Sequence, residues 1–332
     1  MPLIDEDDTR PIDPTASSFR ERVRGGRVTP IVSDEVIFDL ALGSHTDLVQ
    51  GFSRYVKYSL PAPANLVGLV KFHKHRPRPK ALTDHALKYD YLNYVKNHIY
   101  RLGKGAGVSA DLLEEAAAQM DDIPVSDFAS RLSLPALNRS DDPLLILANL
   151  PFKVILTTSP YTFAEDALRR AGKQPRTEVC RWRKDLLDSI PTAIDDDHYE
   201  PSAQAPLVYH LLGLDRYADS LVLTEDDFLE YLVNVCQGQG NHATDVVPAL
   251  VRKALSDDLV VLGFSLDSWA FRVLYAGLVK PNARQDERGV CNIILPDHPD
   301  ERAFLEDYMA REAKFEVFWG DVAAYAERLQ QL

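Results

Sequence analysis

Residues 260–269 read VVLGFSLDSW, an apolar run that ends at Gly263 and leads into a polar helix start. An uninterrupted apolar run predicts a β-strand that is covered on both faces, as in a parallel sheet. Comparable runs predict strands at residues 27–32, 152–157, 207–211, 259–264 and 292–295. Residues 315–319 alternate, which predicts an outer strand, and residues 221–223 predict one further short strand.

Segments with the helical period separate these strands. They lie at residues 164–171, 226–236, 246–255, 268–279, 301–310 and 322–332. This alternation predicts an α/β fold, a Rossmann-like doubly wound parallel sheet. Residues 45–140 carry helical patterns and no convincing strand pattern, so we expect a helical insertion there. The sheet domain would then comprise residues 1–44 and 141–332.

The chain of 332 residues has 50 acidic and 37 basic side chains, a formal net charge of −13. A field of this sign repels phosphate, so we expect no strong nucleic-acid binding, even at the basic run of residues 71–80. A solvated connection is the favoured interpretation of that run, over a phosphate or acidic-partner contact. No stretch is long and apolar enough to cross a bilayer, and the N-terminus lacks a signal-peptide pattern. We therefore expect a cytoplasmic protein without membrane contact.

Hydroxyl side chains stand where the second predicted strand ends, at Thr157, Thr158 and Ser159. In doubly wound folds, ligands bind beyond the carboxyl ends of the strands, where helix N-termini offer free N–H groups. These hydroxyls are therefore candidates for contacts with a ribose or a phosphate. The local alternative is that Thr162 simply caps the next helix.

Two further residues are candidates for chemistry. His210 lies near the end of the third predicted strand, and a histidine can serve as a general base because its reference pKa is about 6.5. The alternative is a hydrogen-bonded core histidine. Ser265 follows Gly263 in the manner of a nucleophile elbow, but Asp267 stands where that turn needs a second glycine. A serine hydrolase is therefore the less favoured function.

Three motifs follow one another in a specific order. Thr157-Thr158 precedes EDAL at residues 165–168, PLVYHLLG at 206–213 precedes SLVLTEDDF at 220–228, and LGFSLDSWAFR occupies 262–272. Together they resemble the bacterial sirtuin-like family, an NAD-binding branch found in many prokaryotic defence proteins. The resemblance covers residues 150–279 well and residues 27–32 loosely. It implies a sirtuin-like Rossmann domain with NAD as substrate or ligand.

The resemblance also implies roles for individual residues. His210 would be the general base, and Ser159 would stand near the family's asparagine. The expected nucleotide-binding residues are Ser33, Asp34, Thr157, Thr158, Tyr161, Leu212, Gly213, Gly263, Phe264 and Asp267.

The chain departs from the family in four respects, one of which is that Ser159 and Tyr161 stand where the family has an asparagine and, two residues later, an aspartate. Residues 33–35 are Ser-Asp-Glu where the family has a Gly-Ala-Gly phosphate turn, which adds two negative charges. Leu212 occupies the position of the family's catalytic histidine, and His210 would start about 6–7 Å away, one pleat earlier in the strand. The cysteine pairs of the family's zinc module are absent, so we expect no zinc.

Two functions stay open on this basis. The first is an NAD hydrolase that cleaves the nicotinamide–ribose bond, with altered catalytic positions. The second is a catalytically silent sirtuin-like scaffold that binds a nucleotide or a partner subunit. The resemblance to defence proteins further implies a HerA-like ATPase or another defence subunit as a partner. The aromatic side chains of residues 89–100 predict a homo-oligomer, because we expect them to be exposed.

Overall fold

Seven parallel strands form the central sheet of the computed structural model. They are β1 (Val28–Val32), β2 (Val154–Thr157), β3 (Arg176–Val179), β4 (Leu207–His210), β5 (Asp258–Leu262), β6 (Cys291–Leu295) and β7 (Phe315–Trp319). Their order across the sheet is β3-β4-β2-β1-β5-β6-β7. The structure describes residues 17–60, 65–134, 142–194, 199–237, 246–266, 268–282, 291–295, 300, 302–313 and 315–330.

Helices cover both faces of this sheet, which confirms the predicted α/β Rossmann-like fold. Those before β2 are α1 (Ser17–Arg24), α2 (Asp34–Leu42), α3 (His45–Tyr55), α4 (Leu66–His75), α5 (Asp84–Gly105), α6 (Ala110–Ala118), α7 (Val125–Arg131) and α8 (Pro143–Asn149). The later ones are α9 (Phe163–Arg170), α10 (Lys184–Ser189), α11 (Glu225–Gln237), α12 (Ala249–Leu255), α13 (Trp269–Leu274), α14 (Lys280–Asn282), α15 (Arg302–Tyr308) and α16 (Val322–Gln330). A 3₁₀ turn (Ala218–Ser220) and two π-helical segments (Tyr275–Val279 and Met309–Ala313) complete the helical structure described.

The predicted strands are present, including the outer strand β7, with two differences. Edge strand β3 has the sequence RTEV and escaped prediction, because its polar residues give no apolar run. The strand predicted at residues 221–223 is wrong, since these residues form a buried loop after the 3₁₀ turn. The helix that follows is capped as its sequence indicates: the N–H of Asp227 donates to Thr224 Oγ1 at 3.1 Å.

Between β1 and β2 the described residues form helices, as the sequence predicts for residues 45–140, although the domain boundaries themselves stay a prediction. The long helix α5 turns its aromatic residues inward. Tyr91 and Tyr94 are buried around Phe52 of α3, at ring-centroid distances of 5.6 and 5.0 Å. Of the tyrosines on this helix, only Tyr89 is strongly exposed, at 47%. The aromatic side chains on which the homo-oligomer prediction rests are therefore mostly buried in the core of the same chain.

The basic run of residues 71–80 is tied to the rest of the chain. Lys74 forms an ion pair with Asp84 at 2.7 Å, and the Arg76 guanidinium donates to the carbonyl of Val56 at 3.1 Å. Lys71 pairs with a glutamate of α11. These contacts favour a structural connection, and weak nucleic-acid binding stays a prediction. None of the described helices is long and apolar enough to cross a membrane.

Replacing Phe52 by Ala should lower the free energy of unfolding by about 3–5 kcal/mol, because it opens a cavity inside the ring cluster. Tyr89→Ala, at the exposed tyrosine of α5, should change the free energy of unfolding by less than about 0.5 kcal/mol. Urea unfolding followed by circular dichroism measures both. Equal effects of the two substitutions would contradict this packing.

Candidate functional site

The register of the central strands brings four chain segments to one edge of the sheet. Val32 pairs with Thr157 on one side and with Leu262 on the other, and Thr157 pairs with His210. Residues 33, 158, 211 and 263 therefore leave the sheet at the same level. The strand order also reverses at β1, which pairs with β2 and β5. In doubly wound sheets this reversal opens the crevice in which ligands bind.

Ser33 closes the junction between β1, α2 and β5. Its hydroxyl donates to the carbonyl of Gly263 at 2.7 Å and accepts from the N–H of Val36 at 3.1 Å. Gly263 has a φ of +75°, and a Cβ there would lie 2.3 Å from Cγ2 of Val36. The N–H of Asp34 donates to Thr158 Oγ1 at 2.9 Å. Two N–H groups at the start of α2 are thus bonded within the chain, where a phosphate would otherwise be held.

Asp34 carries the most perturbed carboxyl group of this edge. The Ser159 hydroxyl donates to Asp34 Oδ1 at 2.9 Å, and His45 Nε2 lies 4.0 Å from Asp34 Oδ2. Burial raises the pKa of Asp34 to about 7, which the Ser159 hydrogen bond only partly offsets. Burial also lowers the pKa of His45 and raises the pKa of Glu35. Asp34 therefore exchanges its proton near neutral pH.

The hydroxyls after β2 hold the strand ends together. Thr157 Oγ1 donates to the carbonyl of Val32 at 3.0 Å and accepts from the N–H of Ser159 at 3.0 Å. Tyr161 is fully buried, and its N–H donates to Ser159 Oγ at 3.3 Å. Thr157, Ser159 and Tyr161 thus lie behind the surface of the crevice and support it.

Two adjoining cavities occupy the crevice. The small chamber has a volume of about 170 Å³, and its lining includes Asp34, Glu35, His45, Tyr91, Leu212 and Trp269. The large cavity has a volume of about 1080 Å³ over the ends of β5, β6 and β7, and its lining includes Gly263, Arg272, Phe304 and Gly320. Glu35 and Phe264 line both. The predicted residues Ser33, Asp34, Thr158, Leu212, Gly263 and Phe264 thus come together around one crevice.

His210 lies elsewhere. It is fully buried, with Nδ1 at 2.6 Å from the Ser159 carbonyl oxygen and Nε2 at 2.9 Å from Glu165 Oε1. Both partners are acceptors, so both ring nitrogens donate. Burial alone would lower the pKa of His210, but the charge and hydrogen bond of Glu165, with the Ser159 carbonyl, raise it. Its assignment as a general base stays a prediction, and this placement favours the core histidine.

Leu212 and Gly213 lie two and three residues after the last residue of β4. Leu212 lines the small chamber, so an apolar side chain occupies the place where the resemblance expects a histidine. Gly213 has a φ of +102°, and a Cβ there would lie 2.5 Å from the carbonyl oxygen of Ser220. The glycine is thus required by a close backbone approach. Asp267 lies outside the described residues.

Sequence reasoning missed several residues that line the small chamber, among them His45, Tyr91 and Trp269. His45 and Tyr91 come from helices between β1 and β2 and belong to no local motif, while Trp269 belongs to the motif at residues 262–272 but is not among the predicted site residues. Only the fold brings them to the crevice. Among the described residues, no group of three or more histidine, cysteine or acidic side chains is placed to hold a metal ion.

The fold is a doubly wound α/β sheet with a crevice at the point where the strand order reverses, which is where ligands bind in folds of this class. The family model of the SIR2-like domain matches residues 153–312. This match supports a sirtuin-like family for the chain, and it leaves β1, the helices α1 to α8, β7 and α16 outside the matched range. A comparison with curated proteins found no match.

Replacing His210 by Ala should lower the free energy of unfolding by about 3–5 kcal/mol, because the Glu165 carboxylate is left buried without its partner. Adding Glu165→Gln should recover part of that loss, since it removes the unpaired charge. Urea unfolding at pH 6 measures both variants. A double variant less stable than His210→Ala alone would contradict the ion pair.

This pair has a defined pH window. The pKa of His210 is raised from 6.5, so its contribution is complete below that value and is lost as the pH rises through the folded-state pKa. Burial would raise the pKa of Glu165, yet the His210 charge holds it below 4.5, so its contribution is lost as the pH falls. The stability gap between wild type and the double variant should be widest between these two pH values.

Asp34→Asn should raise the free energy of unfolding by about 2–4 kcal/mol above pH 7. The pKa of this carboxyl is raised from 3.8 to about 7, so ionisation destabilises the folded state as the pH rises between these values. The gain should vanish near pH 4. Thermal unfolding across this pH range measures it, with exposed Asp188→Asn as the control for losing one negative charge. A gain that is independent of pH would contradict the burial argument.

Proposed function

We propose that the protein is a sirtuin-like NAD-binding protein that cleaves the nicotinamide–ribose bond slowly or not at all. The observation that carries the proposal is the pair of cavities at the reversal point of the sheet, joined at Glu35 and Phe264. Ligand sites commonly measure about 300–1,000 Å³, so the large cavity has room for most of a dinucleotide. The SIR2-like match over residues 153–312 supports NAD as the nucleotide.

In this proposal the two ends of NAD occupy different cavities. The large cavity takes the adenosine diphosphate part, because its volume of about 1080 Å³ admits it. Arg272 is the cation among its described lining residues, beside the acidic Glu35, Asp39 and Asp321. The small chamber takes the nicotinamide ring, because about 170 Å³ suits a single ring and aromatic side chains line it. The Ser-Asp-Glu turn then lies between the two cavities, near the pyrophosphate.

The two positions to which the resemblance assigns catalytic groups argue for slow cleavage. Asp34, Glu35 and His45 also line the chamber, and the proposal gives none of them the role of the base. A positioned base contributes about 10²–10⁴-fold to such a reaction. Leu212 lines the chamber without a proton acceptor, and His210 is engaged with Glu165 away from the cavity. The Ser159 hydroxyl is engaged with Asp34 rather than directed to the chamber.

A second candidate function is a silent scaffold that binds a partner subunit and no nucleotide. One observation favours it: the chain's own hydroxyls occupy two N–H groups of α2, and Asp34 and Glu35 repel a pyrophosphate there. The defence role, the HerA-like ATPase partner, the homo-oligomer and the cytoplasmic location rest on the resemblance and the sequence alone, and we keep them as proposals.

Titration calorimetry with NAD, together with measurement of released nicotinamide, separates the two candidates. We expect binding of NAD and of ADP-ribose, with nicotinamide release near the uncatalysed rate. If neither NAD nor ADP-ribose binds, the first candidate fails and the silent scaffold is the function that remains. Rapid release by the wild type would overturn slow cleavage.

Leu212→His should raise nicotinamide release, because it places a proton acceptor on the chamber wall, and adding Ser159→Asn should raise it further. Leu212→Ala is the matched control, since it removes the same apolar side chain without supplying a base. We expect about a tenfold gain for the histidine variant over the alanine variant, below the full contribution of a base because the acidic turn stays in place. Equal rates for the two variants would contradict the placement of residue 212.

A further inference from the structure

We propose that a cluster of arginines around the exposed ring of Tyr55 is a docking surface for an acidic segment of a partner protein. This arginine surface consists of Arg54 and Tyr55 of α3, Arg76 and Arg78 after α4, and Arg101 of α5. None of these residues lines either cavity of the crevice, so the inference goes beyond the proposed function and does not depend on it.

Tyr55 gives the arginine surface a fixed aromatic face. Its ring packs against the rings of Phe52, His73 and Tyr94, with centroid distances of 6.0, 6.0 and 5.2 Å. The residue nevertheless stays 49% exposed. A ring that is already ordered loses little conformational freedom when a partner covers it, so the exposed face of Tyr55 is suited to an apolar contact.

Arg76 and Arg78 lie near the Tyr55 ring. Arg76 donates to the carbonyl of Val56 at 3.1 Å, and Arg78 donates to the carbonyl of His73 at 2.7 Å. Burial raises the pKa of Tyr55, and the charges of these two arginines oppose that rise. Backbone carbonyls thus hold both guanidinium groups beside the ring.

Arg54 and Arg101 lie near Tyr94, the ring on which Tyr55 packs. The Arg101 guanidinium lies 5.8 Å from the centre of the Tyr94 ring, and its Nε donates to the carbonyl of Asn97 at 3.2 Å. Burial raises the pKa of Tyr94, and the charges of Arg101 and Arg54 oppose that rise. Both arginines are exposed, so a partner can reach their charges.

The four arginines of this surface lack carboxylate partners. In the part of the chain that the structure describes, no aspartate or glutamate lies within ion-pair distance of any of them. The nearby Asp90 pairs with His73 at 2.9 Å instead. Acidic side chains outnumber basic ones by 50 to 37 in the whole chain, so positive charges left unpaired at one place favour an anionic partner.

A short acidic peptide segment fits this surface better than a nucleic acid does. Guanidinium groups bind carboxylates through paired hydrogen bonds, and the Tyr55 ring adds an apolar contact. A nucleic acid would continue past this compact cluster along a molecule of formal net charge −13, which repels its phosphates. We therefore expect a segment with several carboxylates and an apolar side chain that covers Tyr55.

The probe is a fluorescently labelled hexapeptide of two leucines followed by four glutamates, and its neutral counterpart carries four glutamines. Fluorescence anisotropy with the full chain should show about tenfold tighter binding of the glutamate peptide in about 50 mM salt. The difference should shrink in about 500 mM salt, because salt screens exposed charges.

Arg54→Gln should weaken binding of the glutamate peptide about threefold, and adding Arg101→Gln should bring the loss to about tenfold. Tyr55→Ala should weaken binding of both peptides, because it removes the apolar contact. Arg169→Gln, at an exposed arginine of α9 outside the surface, is the matched control for one lost positive charge and should leave the affinity unchanged. Unfolding curves establish that each variant is folded.

Equal binding of the glutamate and glutamine peptides would overturn the inference. Tighter binding of a single-stranded oligothymidine than of the glutamate peptide in about 150 mM salt would overturn the peptide class in favour of a nucleic acid. Residues 1–16 contain five acidic side chains that would compete with the probe, so a chain that begins at residue 17 is tested beside the full chain. Absence of binding to both forms would overturn the docking surface.

Discussion

The parallel register of β1 with β2 and β5 is the constraint on which the site depends. It ends the strands at one level, so that Ser33 meets Gly263 and Asp34 meets Thr158. Each contact uses a backbone group that an open crevice would present to a ligand. The edge of the sheet is thus partly closed by the chain itself, and the remaining space divides into a small chamber and a large cavity.

The histidine of β4 illustrates how a fold can persist while its chemistry changes. The side chain of His210 bonds Glu165 of α9, and Glu165 in turn accepts from Thr177 of β3 at 2.8 Å. An interior charge is tolerated only when it is paired and hydrogen-bonded. The imidazole therefore links three elements of the sheet edge, and moving it to the chamber would leave a buried carboxylate alone. Because Glu165 needs His210 as its partner, this ion pair is a stronger argument against catalysis by His210 than the separation of residues 210 and 212 along the strand.

The local sequence predicts most of this sheet, because the sequences of buried parallel strands are continuous apolar runs. It fails at β3, whose polar residues lie at the sheet edge, and at residues 221–223, where apolar side chains fill a loop. The crevice is predicted in part. Six of its residues lie just after strand ends, and the apolar runs in the sequence predict where those strands end. They are residues 33, 34, 158, 212, 263 and 264. His45 and Tyr91 reach the chamber from helices, and only long-range packing brings them there.

The pKa of Asp34 shows whether burial or the helix dipole has the larger effect on a carboxyl group at the start of α2. A carboxylate in the first turn of a helix is ordinarily stabilised by the helix dipole, by about 0.3–1 kcal/mol. The pKa of Asp34 nevertheless rises to about 7, because burial and the nearby charges of Glu35 and Asp39 act in the opposite direction. The protein thus keeps an acid where its ionised form destabilises the fold.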